Sequence, residues 1–472
     1  MESVNNFFEF LNSLLLRSTC PRGMQPCFIA YIAVSLSDGV NLMIAMLLFA
    51  VGVYLTIYLK FVPVKHIGMA FRTVLSSRGE GGQITAFSSL CTTLGATIGI
   101  GNIVGVASAV AVGGPGALFW MLAAAFFGMT TKYAENLLGA LYRRKDKSGT
   151  FLGGPFYYIR FGLGERYRLL ANVFAVSCLL AGILGMGTVT QSNSIYGAVS
   201  ALFADHISDT VIVKILTAGA LTLLTGIVIF GGGKRIAKVS ELLVPFMSAA
   251  YIALCLVILF RFRHQLPSAL ISVLQCAFSP RAAFGSAAGI SVQQLAVLGI
   301  RRGIFSNEAG LGTSAIAAAS AETGDCVTQG YSGIVSVFVD TVILCTLTGL
   351  TVIVTGALEA DGVKAANAAW EIGLSFNADV SKAILNLFLI IFGFTSILGW
   401  NFYVERCLAY LFRSSRITKV YQFLYLAAVF SGPYLSAGFA WKIADVTNVF
   451  LALPNVFALF LLRKKIAEHS PI

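Results

Sequence analysis

The stretch Gly95-Ala96-Thr97-Ile98-Gly99-Ile100-Gly101-Asn102 decides how this chain folds. It sits inside an apolar run, yet Gly95, Gly99 and Gly101 make it a poor helix, because each interior glycine costs about 1 kcal/mol relative to alanine. A second stretch, Phe305-Ser306-Asn307-Glu308-Ala309-Gly310-Leu311-Gly312, follows about 210 residues later, and its Ser and Asn side chains compete for backbone hydrogen bonds. Taken singly, each reads equally well as a small-residue surface for close helix packing or as unwound backbone. Unwound backbone at membrane depth is tolerated only where protein or a water-filled cavity satisfies it. That there are two favours unwinding.

The surroundings of these stretches are those of a membrane protein. Of 472 residues, 57% are hydrophobic and only 11% charged, with a mean hydropathy of +0.82. A soluble domain carries about 25% charged residues, so a soluble enzyme, a DNA-binding protein and a disordered chain are excluded. The net charge of +12 reads as cytoplasmic loop charge rather than a nucleic-acid surface. Nine cysteines show no metal-type spacing; most lie in apolar runs, and only Cys20, Cys27 and Cys276 are placed where a disulfide could form.

Eleven segments are long and apolar enough to span a bilayer: 39–60, 86–112, 116–141, 169–200, 211–231, 239–260, 284–321, 329–356, 383–411, 418–437 and 444–462. No cleavable leader is apparent in residues 1–38. One set of loops carries 20 Lys/Arg and the other 9, which puts the C-terminus in the cytoplasm and the N-terminus outside a cell membrane. The expected fold is an all-α polytopic membrane protein with about 11 transmembrane helices. Residues 1–80 form an extra N-terminal helix and cytoplasmic linker, 81–265 a first five-helix repeat, and 266–472 an inverted second repeat and tail.

Each interrupted span opens a five-helix set, and interrupted helices at corresponding positions of two halves are the sequence pointer to an inverted-repeat transporter. Five is odd, so the second set must be inverted. A broken helix leaves amide N–H groups on one half and carbonyls on the other; amides suit a carboxylate, carbonyls a desolvated cation. Hydroxyl and amide oxygens of Thr97, Asn102, Ser306, Asn307, Thr395 and Ser396 add hard ligands of the kind alkali cations take.

The stretches ATIGIGNIVGVASAVAVGGPGALFWM, FGMTTKYAENLLG, GGPFYYI, FSNEAGLGTS and ILGWNFYVERCL resemble the alanine/glycine:cation symporter family, over roughly residues 80–412. The resemblance implies the inverted five-plus-five fold of the bacterial sodium/leucine symporter. It also implies sodium-coupled symport of small neutral amino acids, alanine or glycine, into the cell by alternating access. The ligands are then a small amino acid and Na⁺, with no organic cofactor, nucleic acid or obligate protein partner.

By that analogy the amides near Ile100, Gly101 and Asn102 hold the substrate carboxylate, Gln191 faces the substrate, and Phe305 and Asn307 close the pocket. Carbonyls of Gly95 and Ile98 with hydroxyls of Thr395 and Ser396 are similar to one sodium site; Asn102, Ser306, Asp340 and the Thr97 carbonyl are similar to a second. The chain departs from the family pattern in having GIGN for GTGN, TSAIAAAS for SAPIAHAA, and WNFYVERC for WNYYGERC, which bears on substrate preference.

Charges inside spans are functional candidates because burying them is costly. Glu308, with Arg301 and Arg302 one to two turns before it, reads as a gate ion pair, a cation-linked carboxylate or a structural partner of unwound backbone. Asp340 reads as a cation ligand or a partner for a buried polar group. The i, i+3 pair Lys132 and Glu135 and the adjacent pair Glu405 and Arg406 read as interfacial and structural; Trp400 and Asn401 read as pathway lining or packing. His66, His206, His264 and His469 fall in loops or the tail, which argues against a histidine proton relay. A proton-coupled symporter of the same fold and an ion channel are the competing functions, whereas a membrane enzyme would need a nucleophile–base or metal constellation that is absent from the spans.

Overall fold

The computed structural model describes residues 26–77, 84–146, 149–203, 210–278, 291–322, 324–358, 362–374, 377–412, 414–435 and 437–471; the side chains of 26–41, 210, 415, 437–443 and 445 are not described. Cys20 and the first seven residues of the expected span 284–321 lie outside this set, as does the side chain of Cys27. The seven described cysteines are free thiols.

The architecture is helical, as the composition requires. Helix α1 (Pro26–Tyr58) ends where Lys60 and Phe61 take left-handed backbone, and α2 (Val62–Leu75) leaves at 85° with Pro63 in its first turn. The segment expected as a linker is therefore a helix, which carries His66. Its Ala70 and Val74 are buried while Lys65 and Arg72 are exposed, an amphipathic pattern that suits a helix lying along a surface.

The first interrupted span is α3 (Ala86–Thr97), one 3₁₀ turn (Ile100–Asn102) and α4 (Val104–Gly113), bent by 68°. Thr85 caps α3 by accepting from the Ser88 amide at 2.9 Å. Next come α5 (Gly116–Leu141), a two-stranded hairpin (Arg144–Lys145 with Phe151–Leu152), α6 (Arg168–Leu184), α7 (Val189–Phe203), α8 (Thr210–Ile229), α9 (Gly232–Arg261) and α10 (Leu266–Phe278). The second interrupted span is α11 (Val292–Asn307) and α12 (Thr313–Ser320). Ser291 and Gln294 start α11 with a reciprocal capping box. The rest is α13 (Cys326–Thr355), α14 (Gly362–Gly373), α15 (Ala378–Leu411), α16 (Ser415–Ser431), α17 (Ala437–Leu461) and α18 (Arg463–His469).

Among the described residues five helices are long and apolar enough to cross a membrane, or eight when each bent pair counts as one span. The eleven expected spans exceed this for physical reasons. α5 carries buried Lys132 and Glu135, the span through α11 and α12 is broken at Glu308–Gly312, and α16 has only 17 residues.

Two further interruptions escaped the sequence reading. The span expected at 169–200 is two helices, parted at Gly185–Thr188. A Cβ on Gly187 would come within 2.5 Å of Trp400 Cβ, so glycine there lets α15 approach. Within α13, residues Phe338–Cys345 widen into a π-helical turn that carries Asp340, a distortion frequent at functional sites.

α5 packs against α11, α12 and α13, while α15 packs against α3, α6, α7 and α9. These two long helices flank the two breaks. Exposed Leu223, Leu242, Phe246 and Phe260 lie on the periphery, where lipid rather than water suits them.

Candidate functional site

At the first break, α3 stops because the amides that would extend it turn elsewhere. The Gly99 N–H donates to Asn102 Oδ1 at 3.1 Å instead of continuing the helix. Neither the Ile100 nor the Gly101 amide has an acceptor among the described residues. Ser396 Oγ donates to the Ala96 carbonyl at 2.9 Å, and a Cβ on Gly399 would sit 2.6 Å from Ala96 Cβ, so α15 is held against the end of α3. Thr395 lies beside Gly95, although its hydroxyl donates to the Phe392 carbonyl at 3.0 Å. Gly101 meets no heavy atom within 4 Å of a Cβ position, while Gly99 faces both amide atoms of Gln191 at 3.3 Å. Open space therefore adjoins the unpaired amides, with Gln191 close by.

Gln191 reaches that place because of the Gly185–Thr188 interruption. Its Nε2 donates to the Met186 carbonyl at 3.2 Å, and its buried Oε1 has no partner among the described residues. A buried unpaired acceptor is costly unless a ligand or water fills it.

Asp340 ties the two breaks together. Its Oδ1 accepts from Asn102 Nδ2 at 2.9 Å; its Oδ2 accepts from Ser306 Oγ at 2.9 Å and Thr341 Oγ1 at 2.8 Å. Asn307 Nδ2 donates to Thr341 Oγ1 at 3.1 Å. Asn102, Ser306 and Asp340, three members of one expected sodium site, thus converge; the described contacts do not bring Thr97, whose hydroxyl faces the Leu94 carbonyl, to them. Cys345, absent from the sequence expectation, joins this knot, with its sulfur 3.4 Å from Asn102 Nδ2 and 3.2 Å from Ser306 Oγ. It lies five residues beyond Asp340, and the widened turn rather than any motif brings it in.

The second break is built differently. Glu308 takes left-handed backbone at φ 55° and ends α11. Its Oε2 accepts from Thr313 Oγ1 at 2.6 Å, whereas Arg301 and Arg302 line a cavity of about 290 Å³ with Phe305. The gate-pair reading of Glu308 with these arginines is thereby replaced.

Lys132 and Glu135 are not interfacial either: both are fully buried. Lys132 Nζ donates to the Asn307 carbonyl. Glu135 Oε1 accepts from the Gly312 amide at 3.0 Å and Asn455 Nδ2 at 2.6 Å, and Asn455 Nδ2 also donates to the Gly310 carbonyl at 2.9 Å. The i, i+3 spacing on α5 sets ammonium and carboxylate on one face, so one meets the carbonyl end of the break and the other its amide end. Glu405 differs in being only partly buried, accepting from Gln422 Nε2 at 3.0 Å, with Arg406 over the Phe402 ring.

Comparison with known proteins identifies the family. The model of the sodium:alanine symporter family matches residues 28–470. This chain belongs to that family. An uncharacterized transporter of Haemophilus influenzae is 43% identical over 429 residues, 90% of this chain and 91% of the relative. The sodium/alanine symporter AgcS of Methanococcus maripaludis is 36% identical over 90% of this chain and 92% of its own length. GlnT of Bacillus subtilis, described as a probable sodium/glutamine symporter, is 33% identical over 89% and 86%. This chain is a multi-pass membrane protein.

Proposed function

We propose that this protein is a secondary active transporter that carries Na⁺ and a small neutral amino acid, alanine or glycine, into the cell together by alternating access. The observation that carries the reading is the first break: two unpaired amides beside open space, Gln191 close by, and a buried carboxylate knot one side chain away. The Ile100 and Gly101 amides receive the amino acid's carboxylate, as helix N-termini receive anions, and the unfilled Gln191 oxygen accepts from its ammonium. Phe305 and Asn307 bound the pocket from the other break.

Asp340, Asn102 and Ser306, with the Thr97 carbonyl, supply hard oxygen ligands to one sodium ion. Carbonyls of Gly95 and Ile98 with Thr395 and Ser396 supply another. Asn102 serves both ligands, so each favours binding of the other, and the coupling is reciprocal.

Helix packing supports an inverted repeat of α3–α9 and α11–α17 within an eleven-span fold. α5 packs on α13, α7 on α15 and α8 on α16, each helix against its counterpart, as a two-fold relation between halves requires. The loop charge supports an outside N-terminus and a cytoplasmic C-terminus, and the domain limits follow as 1–80, 81–265 and 266–472.

The deciding experiment is uptake of radiolabelled alanine and glycine into liposomes under an inward Na⁺ gradient, an inward H⁺ gradient or none. Accumulation above equilibrium with Na⁺ alone is the expected result. Accumulation with H⁺ alone would transfer coupling to the buried carboxylates Glu308 and Asp340; a sodium-independent leak without saturable flux would point to a channel.

A further inference from the structure

α17 packs against both α1 and α6, yet one of its faces is left uncovered. Phe450, Leu453, Phe457 and Phe460 are exposed, while Leu451, Ala452, Asn455 and Leu459 on the other side are buried. That is the spacing of a single helical stripe, and in a membrane protein such a stripe meets acyl chains.

The stripe changes character near the end of α17 at Leu461, where α1 stops at Tyr58 and α6 begins at Arg168. Tyr54 of α1 lies against Phe460, 5.6 Å between ring centroids, and Tyr167, just before α6, lies 5.9 Å from Phe457. Each side also carries a guanidinium. Arg463 is 4.6 Å from the Phe460 ring centroid, and Arg166 is 4.8 Å from that of Tyr167. Phe457 and Phe460 are three residues apart, about 4.5 Å along the axis, so the two cations flank one turn of α17.

These cations have little else to hold. Arg463 Nη1 donates to the Phe460 carbonyl at 2.8 Å, which keeps the group over the ring and occupies one of its five donors. The carboxylates on these turns are taken by other cations, Glu165 by Arg160 at 3.0 Å and Glu468 by Lys465 at 2.7 Å. Among the described residues neither Arg166 nor Arg463 forms an ion pair. Exposed Lys464 adds further positive charge one turn beyond Phe460.

The order along α17 is thus apolar stripe, aromatic rings, guanidinium groups, which is the order of polarity in a phospholipid. Aromatic rings suit the headgroup level, and guanidinium holds phosphate through two parallel N–H donors. A soluble anion would leave the stripe bare, and a zwitterionic lipid would bring its own cation against the arginines.

We propose that this crevice between α1, α17 and the turn before α6 is a binding site for one anionic glycerophospholipid of the phosphatidylglycerol type. Its phosphate rests on Arg166 and Arg463, its glycerol lies at the level of Tyr54 and Tyr167, and an acyl chain follows Phe457, Leu453 and Phe450. The bound lipid joins three elements at one end of the bundle, and its binding depends on neither the coupling ion nor the transported substrate.

The test is native mass spectrometry of the full chain, delipidated in detergent and titrated with phosphatidylglycerol or phosphatidylcholine. The first should bind about thirtyfold more tightly, given two basic residues at the headgroup. Arg166→Gln with Arg463→Gln should cost at least about tenfold of that affinity, whereas Lys65→Gln with Arg72→Gln, two exposed cations of α2, should leave it unchanged. Arg463→Lys, which keeps the charge but not the paired donors, should weaken binding a few-fold and guards against a folding defect in the double variant. Phe457→Trp should show quenching by phosphatidylglycerol brominated in its acyl chains beyond that of the parent chain's own tryptophans. Equal affinity for the two lipids, an undiminished preference in the Arg166 and Arg463 variants, or an equal loss in the α2 variant overturns the site. Displacement of the lipid by millimolar inorganic phosphate overturns its assignment to a lipid, and absence of extra quenching at residue 457 overturns the acyl path.

Discussion

The two breaks use the same device with opposite outcomes. At Ile98–Ile103 the amides of Ile100 and Gly101 have no acceptors among the described residues, and Gly101 faces open space. At Glu308–Gly312 nearly every exposed polar group is met from within: Lys132 on the Asn307 carbonyl, Asn307 on the Ala309 amide at 3.0 Å, Glu135 on the Gly312 amide and Asn455 on the Gly310 carbonyl. Interrupted helix alone therefore does not make a binding site. What matters is whether neighbouring side chains take the freed groups or leave them for a ligand, and α5 takes them at the second break only.

The largest expected effect tests that division. Lys132→Met leaves the Asn307 carbonyl unmet and Glu135, Glu308 and Asp340 without their buried counter-charge, a loss of roughly 3–5 kcal/mol. The variant should fail to yield a monodisperse, heat-stable protein in detergent, whereas wild-type thermal stability would place Lys132 outside the supports of the second break. Asn102→Ala and Gln191→Ala should do the reverse, abolishing saturable alanine uptake while membrane insertion and stability persist; normal uptake by either removes that residue from the first-break pocket.

A glycine pair sharpens the contrast. Gly310 has φ 94° and a Cβ there would meet Leu48 at 2.3 Å, so Gly310→Ala should lower stability by roughly 1–3 kcal/mol. Gly101→Ala adds a methyl to open space; its melting temperature should be unchanged while the KM for alanine rises about tenfold, roughly 1.4 kcal/mol. Equal stability losses in both would erase the distinction between the breaks. The smallest effect is expected of Thr395→Ala, which should raise the sodium concentration for half-maximal uptake only several-fold, since Ser396 still anchors α15 to the Ala96 carbonyl. An unchanged sodium dependence would remove Thr395 from the cation site.

The sequence by itself determined the membrane setting, the all-helical class, the positions of both breaks and, through its motifs, the family. These are local properties, since composition, apolar runs and clustered glycines act within a few turns of helix. It also marked Asn102, Ser306 and Asp340 as candidates, which the fold joins at hydrogen-bonding distance. The tertiary structure alone decided the rest. Nothing near Lys132 in sequence announces that it meets Asn307, 175 positions away, or that Glu135 meets Asn455, 320 away. The i, i+3 spacing that reads as an interfacial, structural pair is deeply buried because α5 is packed against α11, α12 and α13 on several sides. The turn at Gly185–Thr188 and the wide turn at Asp340 were equally hidden. Each is a compromise between one helix and its neighbours, Trp400 for the first and the Asn102–Ser306–Cys345 knot for the second, and such compromises exist only once the helices are together.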